Sequence, residues 1–256
     1  MINYKRANGV VCLSKSEGFT LIELLTVVGV VGLLASLVFA TLGRVRESSN
    51  AAKCASNLHQ LGVLFNQNMA EMNYKIPYYA IQGSADYTWI NYLDSSTAIE
   101  PPSARSACCP SALPKNYRDR YSIYGIDIGN AGNMNARISF PGPTGQEGVV
   151  SANVVNLNAI LTGTSSRRIL LADSMVRSKG AWNAKCQLGL IPISTGPSDS
   201  EGLMHFRHPG EKANFLFFDG HVEAMKFPDL KALVAKEYGY SGSLGYIDSQ
   251  GKEFIK

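Results

Sequence analysis

One uninterrupted apolar run near the N-terminus limits what this chain can fold into more than any other feature. Between Phe19 and Leu42 the only ionisable side chain is Glu23. About 24 residues at about 1.5 Å each form a helix long enough to cross the hydrocarbon core of a bilayer. The sequence therefore predicts a membrane-spanning segment at residues 19–42.

Glu23 lies at the start of this run, and a carboxylate in a membrane-spanning helix costs free energy. The cost is about 2.5–3.5 kcal/mol at the centre of a spanning helix and less toward its end. A buried carboxylate is tolerated when it is paired and is expensive when it is not. We therefore expect Glu23 to have a specific cationic partner.

The residues around this acid carry a family resemblance. The stretch 18–24, GFTLIEL, resembles the processing site of type IV prepilins and type II secretion pseudopilins. The resemblance implies that residues 1–18 are a leader, that a prepilin peptidase cuts between Gly18 and Phe19, and that the new N-terminus is methylated. It also implies that the amine of Phe19 on a neighbouring pilin or pseudopilin subunit pairs with Glu23 during filament assembly.

Two other interpretations of the apolar run are a secretory signal peptide and a plain membrane anchor. A signal peptide has an apolar core of about 7–15 residues without an acid, followed by a small-x-small cleavage site. An anchor explains the apolar length but neither the Gly18-Phe19 junction nor Glu23. The basic residues Lys5, Arg6 and Lys15 precede the run, which predicts that the C-terminal bulk lies outside the cytoplasm.

Beyond Leu42 the pattern becomes that of an amphipathic helix. Apolar residues recur at spacings typical of one helix face: Val45, Ala52, Ala55, Leu58, Leu61, Leu64, Phe65, Met69 and Met72. The sequence predicts one long helix over residues 19–72, whose second half packs on a globular head at 73–256. Together with this helix, the family resemblance implies an α+β, pilin-like fold class, with the helix packed on an antiparallel sheet.

The clearest local signal in the head is a hairpin. Two strand-like runs, 213–218 and 221–226, are joined by Asp219 and Gly220, which favours a tight type I′ turn. We expect Leu58, Leu61, Phe65 and Met69 to face the sheet that contains the first run. One of two alternating sets should point toward the helix, either Phe215 with Phe217 or Leu216 with Phe218. Because both sets are apolar, the strand is predicted to be covered on both faces.

Other parts of the head give simpler predictions. Residues 168–172 are typical of a buried strand, and the spacing after Pro228 predicts a short helix that ends at Gly239. Residues 125–148 contain many glycines and predict a long surface loop, and the tail from Ser241 is predicted to be a peripheral extension.

Four cysteines follow the leader: Cys54, Cys108, Cys109 and Cys186. Outside the cytoplasm they are disulfide candidates, with three possible complete pairings, and thiols or a metal site are the alternatives. A zinc site is disfavoured because no Cys-x-x-Cys spacing is present and adjacent cysteines do not easily ligate the same ion.

A second resemblance covers residues 207–222. This stretch resembles the C-terminal His-x9-Asp-Gly signature of prepilin-like proteins from planctomycete and verrucomicrobial bacteria, with His208, Asp219 and Gly220 as the signature residues. Here ten residues separate His208 from Asp219. Other stretches resemble the same group: Cys54 with Asn57 and Leu58, Cys109 to Ser111 followed by 121–125, and 170–174.

The remaining chemistry-bearing residues predict no catalytic role. His205, His208, Asp219 and His221 could ligate a metal, but the hairpin already explains Asp219 and His221, so we predict no metal and no cofactor. The sequence has no Gly-x-Ser-x-Gly, phosphate-loop or His-Glu-x-x-His motif, and is not expected to be an enzyme. The net charge of +4 without a basic stripe argues against nucleic-acid binding.

Together these features predict a structural subunit of a type IV pilus-like or type II secretion pseudopilus filament. Its partners are then a prepilin peptidase, other subunits and the inner membrane, with the head outside the cytoplasm and the protein in a periplasmic or surface filament after assembly. The alternative is a membrane-anchored binding protein or hydrolase that uses the helix only as a tether.

Overall fold

The chain has an α+β fold with a long apolar N-terminal helix and mainly antiparallel sheets. The computed structural model describes residues 19–69, 75–82, 85–93, 106–112, 123–127, 134–141, 147–156, 165–176, 190–191 and 202–256. The helices and strands within these ranges are α1 (Leu21–Asn68), β1 (Lys75–Gln82), β2 (Ala85–Thr88), α2 (Trp89–Leu93), β3 (Gly125–Asp127), β4 (Met134–Pro141), β5 (Glu147–Asn156), β6 (Ile169–Ala172), β7 (Ser174–Val176), β8 (Leu190–Ile191), β9 (Gly202–His205), β10 (Lys212–Phe217), β11 (Val222–Lys226), α3 (Phe227–Glu237), β12 (Gly245–Ile247) and β13 (Glu253–Ile255).

Helix α1 begins with a reciprocal cap formed by Thr20 and Glu23. The backbone N–H and the hydroxyl of Thr20 donate to Glu23 Oε2 at 2.9 and 2.8 Å, while the N–H of Glu23 donates to the Thr20 hydroxyl at 3.3 Å. This is a capping box, which satisfies backbone donors that the first turn of a helix leaves without partners. The helix ends at Asn68, and Met69 lies in a turn.

The first part of α1 is long and apolar enough to cross a membrane. Among the described residues this is the one helix that meets the criterion, with a mean hydropathy of 2.5 in its most apolar window. Its large apolar side chains are exposed. The chain divides into a unit that ends at Arg44 and a compact unit formed by Val45–Lys256. The second half of α1 therefore belongs to the compact unit.

The described strands form three sheets. The first has the order β2-β1-β5-β4 and is antiparallel throughout. The second has the order β11-β10-β6-β3-β8, antiparallel except for the β3–β8 pair. The third has the order β13-β12-β9-β7, in which β12 and β9 run parallel.

Strand β10 is covered on both faces, as its unbroken apolar sequence predicts. Leu216, together with Phe218 just beyond the strand, belongs to the same buried core as the helix stripe of Leu58, Leu61, Phe65 and Met69. Phe215 and Phe217 belong to a second core, with Leu230 and Val234 of α3. The predicted stripe is therefore confirmed from Leu58 to Met69, whereas Met72 lies outside the described residues. Leu216 and Phe218 are the set on the helix side. Val45 and Ala52, which the pattern also placed on the stripe, are exposed.

The hairpin between β10 and β11 is present, but its turn differs from the prediction. A type I′ turn needs positive φ at both central residues, whereas only Gly220 has one, at 91°. The N–H of Gly220 donates to the carbonyl of Phe217, and the N–H of Phe217 to the carbonyl of His221, both at 2.9 Å. This is a three-residue loop, a type I turn followed by a left-handed glycine.

Two other predictions for the head are wrong in part. Residues 125–148 are not one surface loop, because β3, β4 and the start of β5 lie there. The tail is not only peripheral, because Leu244 and Ile247 are buried and β12 pairs with β9. The buried strand β6 and the helix α3, which is followed by Gly239 with a φ of 64°, are confirmed.

Candidate functional site

Four buried side chains from separate segments converge in the interior of the compact unit. Cys54 lies on α1, Cys109 in the turn at 106–112, Asp173 between β6 and β7, and His208 just before β10. Each offers one metal-ligand atom, and these four atoms all lie within 4.8 Å of one another. Cys54, Cys109 and Asp173 have no exposed surface, and His208 is 4% exposed. We call these residues the four-residue cluster.

A hydrogen bond joins the segment of α1 around Cys54 to the turn that contains Cys109. Cys54 is four residues before Leu58 on the buried stripe, so helical periodicity aims its thiol inward. One turn along the helix, the side-chain amide of Asn57 donates to the carbonyl of Cys108 at 3.1 Å. The N–H of Tyr124 donates to the carbonyl of Ala107 at 2.9 Å. The turn therefore presents Cys109 toward the helix.

The backbone of the neighbouring strands fixes the acid and the imidazole. The N–H of Asp173 donates to the carbonyl of Asn214 at 3.1 Å, and the N–H of Asn214 donates to Asp173 Oδ2 at 2.8 Å. His208 forms an isolated antiparallel bridge with Lys212. The turn between them contains Gly210 and Glu211, both with positive φ.

The distances within the four-residue cluster are those of directly interacting groups. His208 Nε2 is 3.0 Å from Asp173 Oδ2 and 3.9 Å from the Cys109 Sγ. The Cys54 Sγ is 3.4 Å from Asp173 Oδ1. The hydroxyl of Tyr124 donates to the Cys54 Sγ at 3.1 Å. Two donors outside the cluster therefore bond to its members, the Tyr124 hydroxyl and the backbone N–H of Asn214.

Electrostatics in the cluster favour ionised Asp173 and His208. Burial opposes ionisation of Asp173. The charge and hydrogen bond of His208 outweigh this effect, and the charge of Arg207 and the backbone N–H of Asn214 act in the same direction. Together they hold the pKa of the Asp173 carboxyl well below its usual range. Burial also opposes the charged form of His208, yet Asp173 raises the pKa of the imidazole to about 10. The pair is therefore an ion pair at neutral pH in the absence of a metal.

The two thiols of the cluster respond in opposite directions. Burial, followed by the hydrogen bond with Cys109 and the charge of Asp173, raises the pKa of the Cys54 thiol. Burial alone would also raise the pKa of Cys109, but the hydrogen bond from Cys54 and the charge of Arg207 lower it to about 6. Cys109 is therefore the more acidic of the two thiols.

The arrangement is not that of a Cys-His-Asp catalytic triad. In a triad the acid binds one imidazole nitrogen and the nucleophile faces the other. Here Asp173 and Cys109 both face Nε2 of His208, and Nδ1 has no hydrogen-bond partner in the described part of the chain. The cluster is also closed to solvent, since none of its side chains is more than 4% exposed.

The histidines and acids that sequence proximity grouped as possible ligands do not converge. Asp219 and His221 contact each other in the hairpin turn, where Asp219 is exposed and the His221 ring stacks on Phe217. His205 Nε2 lies 3.1 Å from the carbonyl of Asp248. Only His208 of that group belongs to the four-residue cluster.

The signature glycine lies where the hairpin turn contacts helix α1. The carbonyl of Gly220 is 3.2 Å from His59 Nδ1. A Cβ at Gly220 would come within 3.2 Å of the side-chain amide of Asn66. Asp219 stabilises the turn, because its Oδ1 accepts a hydrogen bond from the His221 N–H at 3.1 Å. The turn therefore has a packing role against the helix.

The disulfide candidates divide into described and undescribed residues. Cys54, Cys108 and Cys109 are present as thiols, with no disulfide between any two of these three described residues. Cys186 and the processing residue Gly18 lie outside the described residues. A pairing that involves Cys186 stays a prediction, as does cleavage after Gly18.

Sequence analysis did not group the four residues, and it noted Asp173 only as part of the stretch 170–174. Cys54, Cys109, Asp173 and His208 each lie in a different stretch that resembles the same prepilin-like group. Their membership in one shared resemblance is the signal that could have grouped them. Comparison of the chain with protein-family models, with curated proteins and with solved structures gives no match.

Proposed function

We propose that this protein is a structural subunit of a type IV pilus-like or type II secretion pseudopilus filament. The observation that carries the proposal is the division of α1. Its first half exposes large apolar side chains around the whole helix, while its second half buries one stripe in a head. The exposed coat suits lipid before assembly and neighbouring subunits afterwards.

The proposal includes a processing step that rests on the resemblance at residues 18–24. A prepilin peptidase removes residues 1–18, and the amine of Phe19 becomes the N-terminus of the mature subunit. The protein is then held in the inner membrane by a single span, with its head outside the cytoplasm, until it enters a filament.

Glu23 has a local role in addition to the proposed role in assembly. Within one chain the partner of its carboxylate is Thr20, not a cation. After cleavage, the amine of Phe19 on an adjacent subunit supplies the positive charge that a carboxylate in an apolar environment requires. The two roles can be separated, because a glutamine at position 23 can complete a capping box but carries no charge.

The experiment compares Glu23→Gln with Glu23→Val in cells that also produce a differently tagged wild-type subunit. We expect both variants to insert into the membrane and to be processed, and both to be lost from crosslinked or co-purified assemblies, because both remove the charge. If Glu23→Gln assembles normally while Glu23→Val does not, the residue acts only as a helix cap.

The tether hypothesis makes a different forecast for the same experiment. If α1 is only an anchor for a binding protein or hydrolase, removal of a charge from the membrane segment leaves insertion unchanged or improved. The tether would therefore be favoured if both variants match the wild-type protein in the amount that co-purifies with the tagged subunit and in the amount found in the membrane fraction.

A further inference from the structure

We propose that Cys54, Cys109, Asp173 and His208 bind one Zn²⁺ ion in a closed, four-coordinate structural site that joins the second half of helix α1 to the head. This site goes beyond the filament function and does not depend on it.

The geometry of the cluster is close to that of a tetrahedral zinc site. Zinc bonds of about 2.0–2.3 Å to nitrogen, oxygen and sulfur place the ligand atoms about 3.3–3.8 Å apart along the edges of the tetrahedron. With Asp173 Oδ2 as the one carboxylate ligand, the Cys54 Sγ lies 3.6 Å from this oxygen, and the Cys109 Sγ lies 3.9 Å from His208 Nε2. The distance from His208 Nε2 to Asp173 Oδ2 is 3.0 Å. All four ligand atoms lie within 4.8 Å of one another, so side-chain shifts of up to about 1 Å bring the longest separation to the zinc geometry.

The ligand set favours zinc over the common alternatives. Two thiolates and an imidazole suit zinc, whereas calcium and magnesium take oxygen ligands. Four protein ligands with no open position, all buried, are typical of a structural site and not of a catalytic one. Adjacent cysteines do not disfavour it, because only Cys109 of the Cys108-Cys109 pair belongs to the cluster.

The second layer of contacts is of the kind that supports a metal. The Tyr124 hydroxyl donates to the Cys54 Sγ, and the Asn214 N–H donates to Asp173 Oδ2. Such hydrogen bonds orient ligands and stabilise their anionic forms. Zn²⁺ bound by two thiolates and one carboxylate has a net charge of −1. The positive charge of the Arg207 guanidinium acts on both Asp173 and Cys109 and offsets this negative charge.

The site joins four segments that are distant in the sequence. Cys54 and Asp173 are 119 positions apart, and Cys109 and His208 are 99 positions apart. A metal that binds only the folded arrangement stabilises it, because the unfolded chain rarely brings such ligands together. Loss of the ion should therefore loosen the helix from the head.

The test begins with the full-length protein purified in detergent without added chelator, whose metal content is measured by elemental analysis. We expect about one zinc ion per chain, and thiols at positions 54 and 109 that become reactive toward a labelling reagent only after chelation or unfolding. Protein that contains no transition metal, or that carries a Cys54–Cys109 disulfide, would overturn the proposal.

Variants then assign the ligands. Cys109→Ser should lose the zinc, while the adjacent Cys108→Ser is a matched control that should keep it. Tyr124→Phe removes a second-layer hydrogen bond without removing a ligand, and should weaken zinc affinity by about 10–100-fold. A second measurement applies if Cys109→Ser does not yield folded protein. The wild type refolded with Co²⁺ should then show thiolate-to-cobalt charge-transfer absorption, and Cys108→Ser should show the same absorption. A cobalt spectrum without thiolate bands, or equal zinc in Cys109→Ser and wild type, would contradict the assignment.

Discussion

The two halves of helix α1 are both rich in apolar residues but bury them differently. In the first half Leu33 and Leu34 are 70% and 58% exposed, whereas in the second half Leu58 and Leu61 are completely buried. The first half is apolar around its whole circumference, and the second places polar residues between the members of one stripe. The arrangement of apolar residues, more than their number, therefore predicts what a helix packs against.

The largest expected effect that sharpens this comparison is on the stability of the head. Phe65→Ala should lower the free energy of unfolding of the head by about 3–5 kcal/mol, because the Phe65 ring is fully buried and its centroid lies 5.6 Å from the centroid of the Trp89 ring. Phe39→Ala is the matched control, since Phe39 is 73% exposed, and should leave head unfolding unchanged. Denaturant titration of the full-length protein in detergent, followed by tryptophan fluorescence, measures both. Equal losses in the two variants would break the comparison.

A smaller effect is expected at the helix glycines. A Cβ at Gly62 would lie 2.9 Å from Leu216 Cδ1 and 3.4 Å from the Gly220 Cα, whereas a Cβ at Gly29 meets no atom within 4 Å. Gly62→Val should therefore destabilise the head by about 1–3 kcal/mol through overpacking. Gly29→Val should not change head unfolding in the same denaturant titration. A Gly62→Val protein as stable as wild type would show that the helix and the hairpin are not closely packed.

Much of the fold could be predicted because it depends on local patterns. The stripe from Leu58 to Met69, the hairpin and helix α3 all follow from periodicity and from turn residues that act within a few positions. Strands β3 and β4 and the start of β5 were missed because six glycines and two prolines dominate residues 125–148. Strand pairing outweighs that local preference: β3 pairs with the distant strands β6 and β8, and β4 pairs with β5, which in turn pairs with β1. The turn type was missed because an Asp-Gly pair is compatible with more than one hairpin loop.

Local sequence patterns could not predict the four-residue cluster, for a different physical reason. Its members come from a helix, a turn, a strand junction and a strand start, and no periodicity relates them. His208 was recognised, but it was grouped with its neighbours in sequence, Asp219 and His221, which contact each other in the hairpin turn. Only tertiary contacts bring His208 to Cys54. The capping role of Glu23, by contrast, was readable from the Thr-x-x-Glu spacing.

The proposed filament function depends most on the cleavage that would make Phe19 the N-terminus of the mature subunit. Mass spectrometry of the mature protein purified from membranes tests this directly. We expect the chain to begin at Phe19 with a methylated amine, and we expect a bulky substitution such as Gly18→Leu to block cleavage. A mature protein that begins at Met1, or one cut after Ala40 as a secretory signal would be, would contradict the account.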